Sequence, residues 1–155
     1  MDIYARLNEL GIELPTPPSP MGIYTPVLEF GDKFVYTSGM GPTGEDGVPK
    51  FTGKLGSELT LEEGQQAARL TAINLLAALH RDLGDLNCIK RFVKVLGFVA
   101  GTGDFYDQPK TINGASQLFL DVFGEAIGKP ARSAIGVNAL PGNIPVEIEL
   151  LLELK

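Results

Sequence analysis

An arginine and two glutamates near the end of the chain are the residues best suited to chemistry. Arg132 lies in the small, apolar stretch ARSAIGVNA, and Glu147 and Glu149 alternate with apolar residues in PVEIEL. A guanidinium offers a planar pair of donors to a carboxylate and stays charged. The pattern therefore indicates either a site for an anionic ligand or a surface arginine, at a strand end or paired with Glu147 or Glu149.

The other reactive side chains of the sequence are most simply structural. His80 is the only histidine and falls at the end of a helical segment, where it interacts favourably with the helix C-terminus. Cys88 is the only cysteine and has no base near it in the sequence. The glycine-rich stretch GMGPTGEDG lacks the lysine of a phosphate-binding loop. Because no group of histidines and cysteines is present, we expect no metal and no cofactor.

Hydrophobic periodicity predicts the elements that must position these residues. Residues 2–10 form a short amphipathic helix before the proline-rich tether PTPPSP. The segments VLEF and FVYTSG are typical of a β-hairpin, and residues 41–56 are too rich in glycine and proline for regular structure. Thr60 and Glu63 stand at capping-box spacing before a long helix. There follow a strand IKRFVKVLGFVAG, a helix PKTINGASQLFLDVFGEAIG, and the strands ARSAIGVNAL and PVEIELLLEL.

The predicted order is β-β-α-β-α-β-β, which is an α+β fold with two helices on one face of a sheet. We expect residues 1–20 to be an appendage, helix and tether, on one domain of residues 21–155.

Alternation along the strands assigns residues to the two faces of this sheet. In the first long strand, one side would carry Val93, Val95 and Val99, and the other Phe92, Leu96 and Phe98. In ARSAIGVNA we expect Ser133, Ile135 and Val137 under the helices, and Arg132, Ala134, Gly136 and Asn138 on the opposite side. An apolar second face without a covering element favours burial against other subunits. This places Arg132 on the assembly side, at the edge of an intersubunit cleft.

Composition limits the classes of function. The formal net charge is -6, which argues against a nucleic-acid binder because phosphate contacts need a basic surface. The N-terminal residues have no apolar region of the kind found in signal peptides, and no stretch is long and apolar enough to span a membrane. We expect a soluble, cytoplasmic protein.

Three segments resemble the Rid family, the reactive-intermediate deaminases also called YjgF-like proteins. PARSAIGVNALPGNIPVEIE resembles the C-terminal signature of that family, GIYTPV its N-terminal segment and VYTSGM its T-S-G turn. The resemblance covers roughly residues 22–153. It implies a chorismate-mutase-like fold, a homotrimer with clefts between subunits, and hydrolysis of imines and enamines such as 2-aminoacrylate to 2-keto acids and ammonia.

The resemblance also implies roles for individual residues. The catalytic residues implied are Arg132, Glu147 and Tyr24: Arg132 would hold a substrate carboxylate, Glu147 would position the hydrolytic water, and Tyr24 would line the cleft and help to orient that water. The other substrate-binding positions implied are Ser38, Gly39 and Asn113.

The sequence departs from the family in two ways. Ala134 stands where the best-known members often have cysteine, so thiol chemistry at that position is ruled out. About twenty residues are added at the N-terminus, and residues 41–56 form a long loop.

A non-catalytic, trimeric binder of small carboxylates or keto acids is the alternative function. Ribonuclease activity is the weakest candidate because the charge is negative.

Overall fold

The computed structural model describes residues 2–155 and confirms the α+β fold and the order of its elements. Helices and strands, in chain order, are α1 (Ile3–Glu9), β1 (Val27–Phe30), β2 (Phe34–Thr37), α2 (Leu61–Leu83), β3 (Ile89–Ala100), α3 (Gln108–Phe123), α4 (Glu125–Gly128), β4 (Ala131–Val137) and β5 (Val146–Leu154). Short 3-10 turns span Leu86–Cys88 and Pro141–Asn143. The single helix predicted after β3 is broken at Gly124, whose positive φ of 73° separates α3 from α4.

The five strands form one sheet in the order β1-β2-β5-β3-β4. All neighbours are antiparallel except β3 and β4, which are parallel and connected through α3. Helices α2 and α3 cover one face, and we call the other the open face. Within residues 2–155, no helix is long and apolar enough to cross a membrane.

Local sequence signals explain how the two long helices begin and pack. Thr60 and Glu63 form the predicted capping box, each side chain bonded to the other residue's backbone N–H. The helices α2 and α3 approach closely at Gly114, where an added Cβ would lie 2.0 Å from the carbonyl oxygen of Gln65. Only glycine permits this contact, because a neighbouring backbone cannot move aside as a side chain can.

The face assigned to Phe92 is wrong. Its ring packs on Phe119 and Phe123 of α3, at centroid distances of 4.7 and 4.9 Å, so it lies under the helices. The register between β3 and β5 shifts between Phe92 and Lys94. Such an irregularity resets the alternation. Val95 and Val99 therefore share the helix side with Phe92, while Leu96 and Phe98 face the open side as expected.

The faces assigned to β4 are also wrong, and this changes the position of Arg132. In the parallel pairing, Arg132 lies beside Val95 and Ile135 beside Phe98. Val95 is fully buried beneath the helices, whereas Ile135 is 44% exposed. The residues now placed on the helix side are Arg132, Ala134 and Gly136, and those on the open face are Ser133, Ile135 and Val137. Both sides of this edge strand carry small residues, so its alternation gave no strong hydrophobic signal.

The N-terminal helix is docked on the helical layer. Ile3 and Leu7 are each 3% exposed and join the core. Arg6 Nε donates to the carbonyl oxygen of Asp121 at 2.8 Å. The Tyr4 hydroxyl lies 2.9 Å from His80 Nδ1, so the histidine predicted to interact with its own helix end also holds α1 in place. Residues 12–20, which follow α1, have no regular structure.

Candidate functional site

A bulge at the end of β2 brings Ser38 and Gly39 against Glu147. Tyr36 pairs with Leu151 and Met40 with Ile148, so four steps along one chain oppose three along the other. The extra residue turns the backbone over the Glu147 side chain. A Cβ on Gly39 would lie 2.1 Å from Glu147 Oε1. Only glycine at position 39 therefore leaves room for the Glu147 side chain in its observed position.

Ser38 has a positioning role in this structure. Its hydroxyl donates to the carbonyl oxygen of Thr25 at 2.7 Å, and its backbone N–H donates to the carbonyl oxygen of Pro26 at 2.8 Å. These bonds hold the segment that carries Tyr24, which is 50% exposed.

Glu147 is a half-buried carboxyl group with a perturbed titration. Burial raises its pKa above the ordinary value, and the neighbouring carboxylate of Glu149 raises it further. Within residues 2–155, Glu147 forms no ion pair. Glu149 accepts a hydrogen bond from the Tyr36 hydroxyl, and this bond raises the pKa of that phenol. A carboxyl group in such a setting can exchange a proton with a ligand.

Glu147 opens into a cavity of about 560 Å³. Tyr24, Ser38 and Gly39 line it as well, so four of the six predicted site residues are brought together. The lining is mostly carbon and includes residues 17–22 from the N-terminal segment. Polar groups at its border include Asn74 and Arg81 of α2.

Arg132 lies in a different place, beside α3. Its Nη1 donates to Asn113 Oδ1 at 2.8 Å and to Ser116 Oγ at 3.0 Å, and its Nη2 donates to the carbonyl oxygen of Pro109 at 3.3 Å. Asn113, named from the sequence as a separate binding position, is thus a hydrogen-bond partner of Arg132. All three acceptors are neutral, and no carboxylate of the described chain lies within ion-pair distance. The expected alternative, a pair with Glu147 or Glu149, is not formed.

Arg132 and Glu147 do not meet within one chain. Glu147 pairs with Phe98 and Arg132 with Val95, so β3 separates them, and their side chains leave opposite faces of the sheet. Strand spacing and rise place their Cα atoms roughly 14 Å apart. The chain therefore carries two groups of site residues: Tyr24, Ser38, Gly39 and Glu147 in the cavity, and Arg132 with Asn113 at the sheet edge.

The open face is rich in exposed apolar side chains, as the strand pattern predicted. The large ones are Leu28, Phe30, Phe34, Tyr36 and Ile135, between 36% and 52% exposed. Four of them form one patch because Leu28 pairs with Tyr36 and Phe30 with Phe34, and Ile135 lies in β4 at the opposite edge of the sheet. Exposed apolar side chains of this size are typical of an interaction surface.

Sequence reasoning missed several residues of both groups. Ser116 Oγ and the carbonyl oxygen of Pro109 also accept hydrogen bonds from the Arg132 guanidinium. These contacts depend on how α3 is rotated relative to β4, which the sequence does not give. Asn74 donates both amide hydrogens, to the carbonyl oxygens of Gly41 and Thr43 at 3.0 and 2.9 Å. A signal for it was available, since an asparagine inside the apolar stripe of α2 needs buried partners. Among residues 2–155, no group of three or more His, Cys, Asp or Glu side chains is placed to hold a metal ion.

Comparison with known proteins identifies the family. Residues 4–154 match the family model described as "YjgF/chorismate_mutase-like, putative endoribonuclease". Protein TCP17 of Trypanosoma cruzi is 41% identical over 153 residues, which cover 99% of this chain and 94% of the relative.

Two solved structures are similar over nearly the whole chain. A protein of unknown function from Agrobacterium tumefaciens is 40% identical, with a TM-score of 0.89, and the match covers 99% of this chain and 92% of that protein. A "putative endoribonuclease" from Shewanella oneidensis is 32% identical, with a TM-score of 0.92 and coverage of 99% and 100%. These matches confirm the resemblance stated from the sequence: the chain belongs to the YjgF/chorismate-mutase-like family.

Proposed function

We propose that the protein hydrolyses 2-imino acids and their enamine tautomers to 2-keto acids and ammonia. The observation that carries this proposal is the state of Arg132. A guanidinium fixed by three neutral acceptors keeps its full positive charge and has a free edge for a ligand. A planar substrate carboxylate is the natural partner of that edge. The family membership supports the same assignment.

Glu147 is the residue proposed to handle protons. As a carboxylate, it accepts a proton from a water molecule while the water oxygen bonds to the imine carbon and the C=N π electrons move to nitrogen. The proton held by Glu147 passes to the nitrogen and gives the neutral carbinolamine. Glu147 then takes the hydroxyl proton and delivers it to the nitrogen, the C–N bond breaks, and ammonia leaves as the carbonyl forms, so water is the only other reagent. A raised pKa suits a group that acts first as base and then as acid.

The two groups of site residues must be completed by association of chains. We propose a homotrimer in which the open faces pack together and Arg132 of one chain approaches the Glu147 cavity of its neighbour. The exposed apolar residues of the open face support this assembly. The arrangement explains why residues with complementary roles lie on opposite faces of one chain.

The test compares Arg132→Ala, Arg132→Lys and Glu147→Gln with the wild type, by ammonia release and by 2-keto acid affinity. Loss of a charge-assisted bidentate pair should weaken both by about two orders of magnitude in Arg132→Ala. Arg132→Lys should recover little, because an ammonium lacks the planar fork. Glu147→Gln should slow turnover while keeping affinity near that of the wild type. Arg69→Ala is the matched control, because the Arg69 side chain forms no hydrogen bond or ion pair within residues 2–155. A folded Arg132→Ala protein with wild-type affinity contradicts the proposal.

Mixing the variants tests whether the site is shared. Arg132→Ala and Glu147→Gln chains, refolded together in equal amounts, should restore activity at about a quarter of the sites, since both contributors must be intact. A site formed within one chain would give no recovery. The alternative function, a non-catalytic binder, predicts saturable keto acid binding with no ammonia release from any imine.

A further inference from the structure

One wall of the Glu147 cavity comes from residues that precede the first strand. Residues 17–22, here called the strap, all line this cavity. Three of the six are prolines, and the others are Ser19, Met21 and Gly22. The loop of residues 41–56 contributes the neighbouring wall through Gly41, Thr43, Gly47 and Pro49. Both segments are the ones in which the sequence departs from the Rid pattern.

The strap lies against the loop and is bonded to it at its start. The backbone N–H of Thr16 donates to Glu45 Oε1 at 2.8 Å, which ties the start of the strap to the loop. Near its other end, Met21 is 84% exposed, and its Sδ lies 3.9 Å from the position that a Cβ on Gly47 would take. The loop itself is anchored to α2 through Asn74. Proline fixes φ and favours the extended polyproline conformation, so this wall is stiff.

The cavity is large and apolar compared with the smallest substrates of the proposed reaction. A volume of about 560 Å³ is within the range of roughly 300–1,000 Å³ that binds drug-sized ligands. A three-carbon imine would leave most of the carbon surface in contact with water. A longer aliphatic chain would cover Met40, Ala78 and Ile144, which also line the cavity. Burial of each additional methylene would strengthen binding by about fourfold.

We infer that the strap is a specificity wall, and that the site prefers 2-imino acids with a long apolar side chain over three-carbon ones. This inference rests on the proposed function for the reacting end of the ligand. The polar end meets Glu147, and the apolar chain lies between the strap and the loop.

The experiment uses the absence of tryptophan from the chain. Ser19→Trp places the only indole in the strap, and Glu13→Trp places one at an exposed position outside the cavity as the matched control. Pyruvate, 2-oxopentanoate and 2-oxooctanoate are titrated by calorimetry into the wild type and by fluorescence into both variants. We expect wild-type affinity to increase by about tenfold or more from the shortest to the longest acid. The longest acid should change the emission of Ser19→Trp and leave that of Glu13→Trp unchanged.

A second variant loosens the wall instead of reporting on it. Pro17→Gly combined with Pro18→Gly should reduce the ratio of 2-oxooctanoate affinity to pyruvate affinity by severalfold. Equal affinity for all three acids in the wild type overturns the inference, as does identical emission behaviour of the two tryptophan variants. Failure of the proposed function is a separate result, in which no imine of any length releases ammonia. The affinities of the three keto acids would still show whether the cavity prefers long apolar chains.

Discussion

Substitution of Gly39 by alanine should move the Glu147 carboxylate without disturbing the fold. The new Cβ would lie 2.1 Å from Oε1, 2.8 Å from Cδ and 2.9 Å from Cγ of Glu147, where ordinary contacts begin near 3.4 Å. Gly39 does not have a positive φ, so alanine fits its backbone conformation. The glutamate side chain is the part that can give way, and its oxygen must retreat by about 1.3 Å.

We expect Gly39→Ala to lower the rate of the reaction much more than the stability of the protein. A displacement of about 1 Å at a reacting group can lower the rate by roughly a hundredfold. A shifted rotamer costs about 0.5–1.5 kcal/mol of stability, so the free energy of unfolding should change little. Ammonia release and urea denaturation measure the two effects. Gly103→Ala is the control, because a Cβ there meets no atom within 4 Å.

A double-mutant cycle decides whether the effect passes through Glu147. In a Glu147→Gln background, Gly39→Ala should lower the residual rate far less than it does in the wild type, because the group that it displaces no longer acts. A full hundredfold loss in both backgrounds, or a folded Gly39→Ala protein of wild-type activity, refutes the reasoning.

Three further predictions concern pH, packing and assembly. Because burial and Glu149 raise the pKa of Glu147, the acid limb of the rate profile should lie above the ordinary 4.5, and Glu149→Gln should move that limb to lower pH. The stability that protonated Glu147 contributes is complete below its unfolded pKa and is lost as pH rises through the folded value, which unfolding curves across this interval will show. Gly114→Ala should destabilise the protein by about 1–3 kcal/mol in urea denaturation, since its Cβ would strike the Gln65 backbone; an unchanged midpoint would mean that the helices separate freely. Ile135→Glu should reduce the mass measured by light scattering from that of the proposed trimer to that of a monomer, because a charge on the open face opposes its burial; a monomeric wild type would exclude the proposed assembly.

Much of the fold could be predicted because its signals are local. The Thr60–Glu63 capping box fixed the start of α2, and alternation along β5 placed Glu147 and Glu149 on one face. The apolar second face also followed from residue types alone. Each of these inferences depends on a few consecutive residues, whose spacing is set by the helix or strand itself.

The features that could not be predicted depend on contacts between segments that are distant in the sequence. The assignment of Phe92 was wrong because the residues of β3 alone do not report a register shift against β5. The faces of β4 were reversed because both sides of this edge strand carry small residues and its alternation gives no strong hydrophobic signal. The same error placed Arg132 on the open face, when α3 in fact supplies its partners. The strap could not be placed from the sequence, since its position depends on contacts with a distant loop, among them the hydrogen bond from Thr16 to Glu45.

The neutral surroundings of Arg132 have a consequence for how an anionic ligand reaches it. The whole chain has a net charge of -6, so an approaching anion is repelled at long range and attracted only near the guanidinium. Dissolved salt weakens the first effect more than the second, because screening acts over a Debye length of about 10 Å at 0.1 M and reaches partly buried contacts least. The association rate constant for a small anion should therefore increase with ionic strength, opposite to the usual behaviour of an enzyme whose surface charge attracts its substrate.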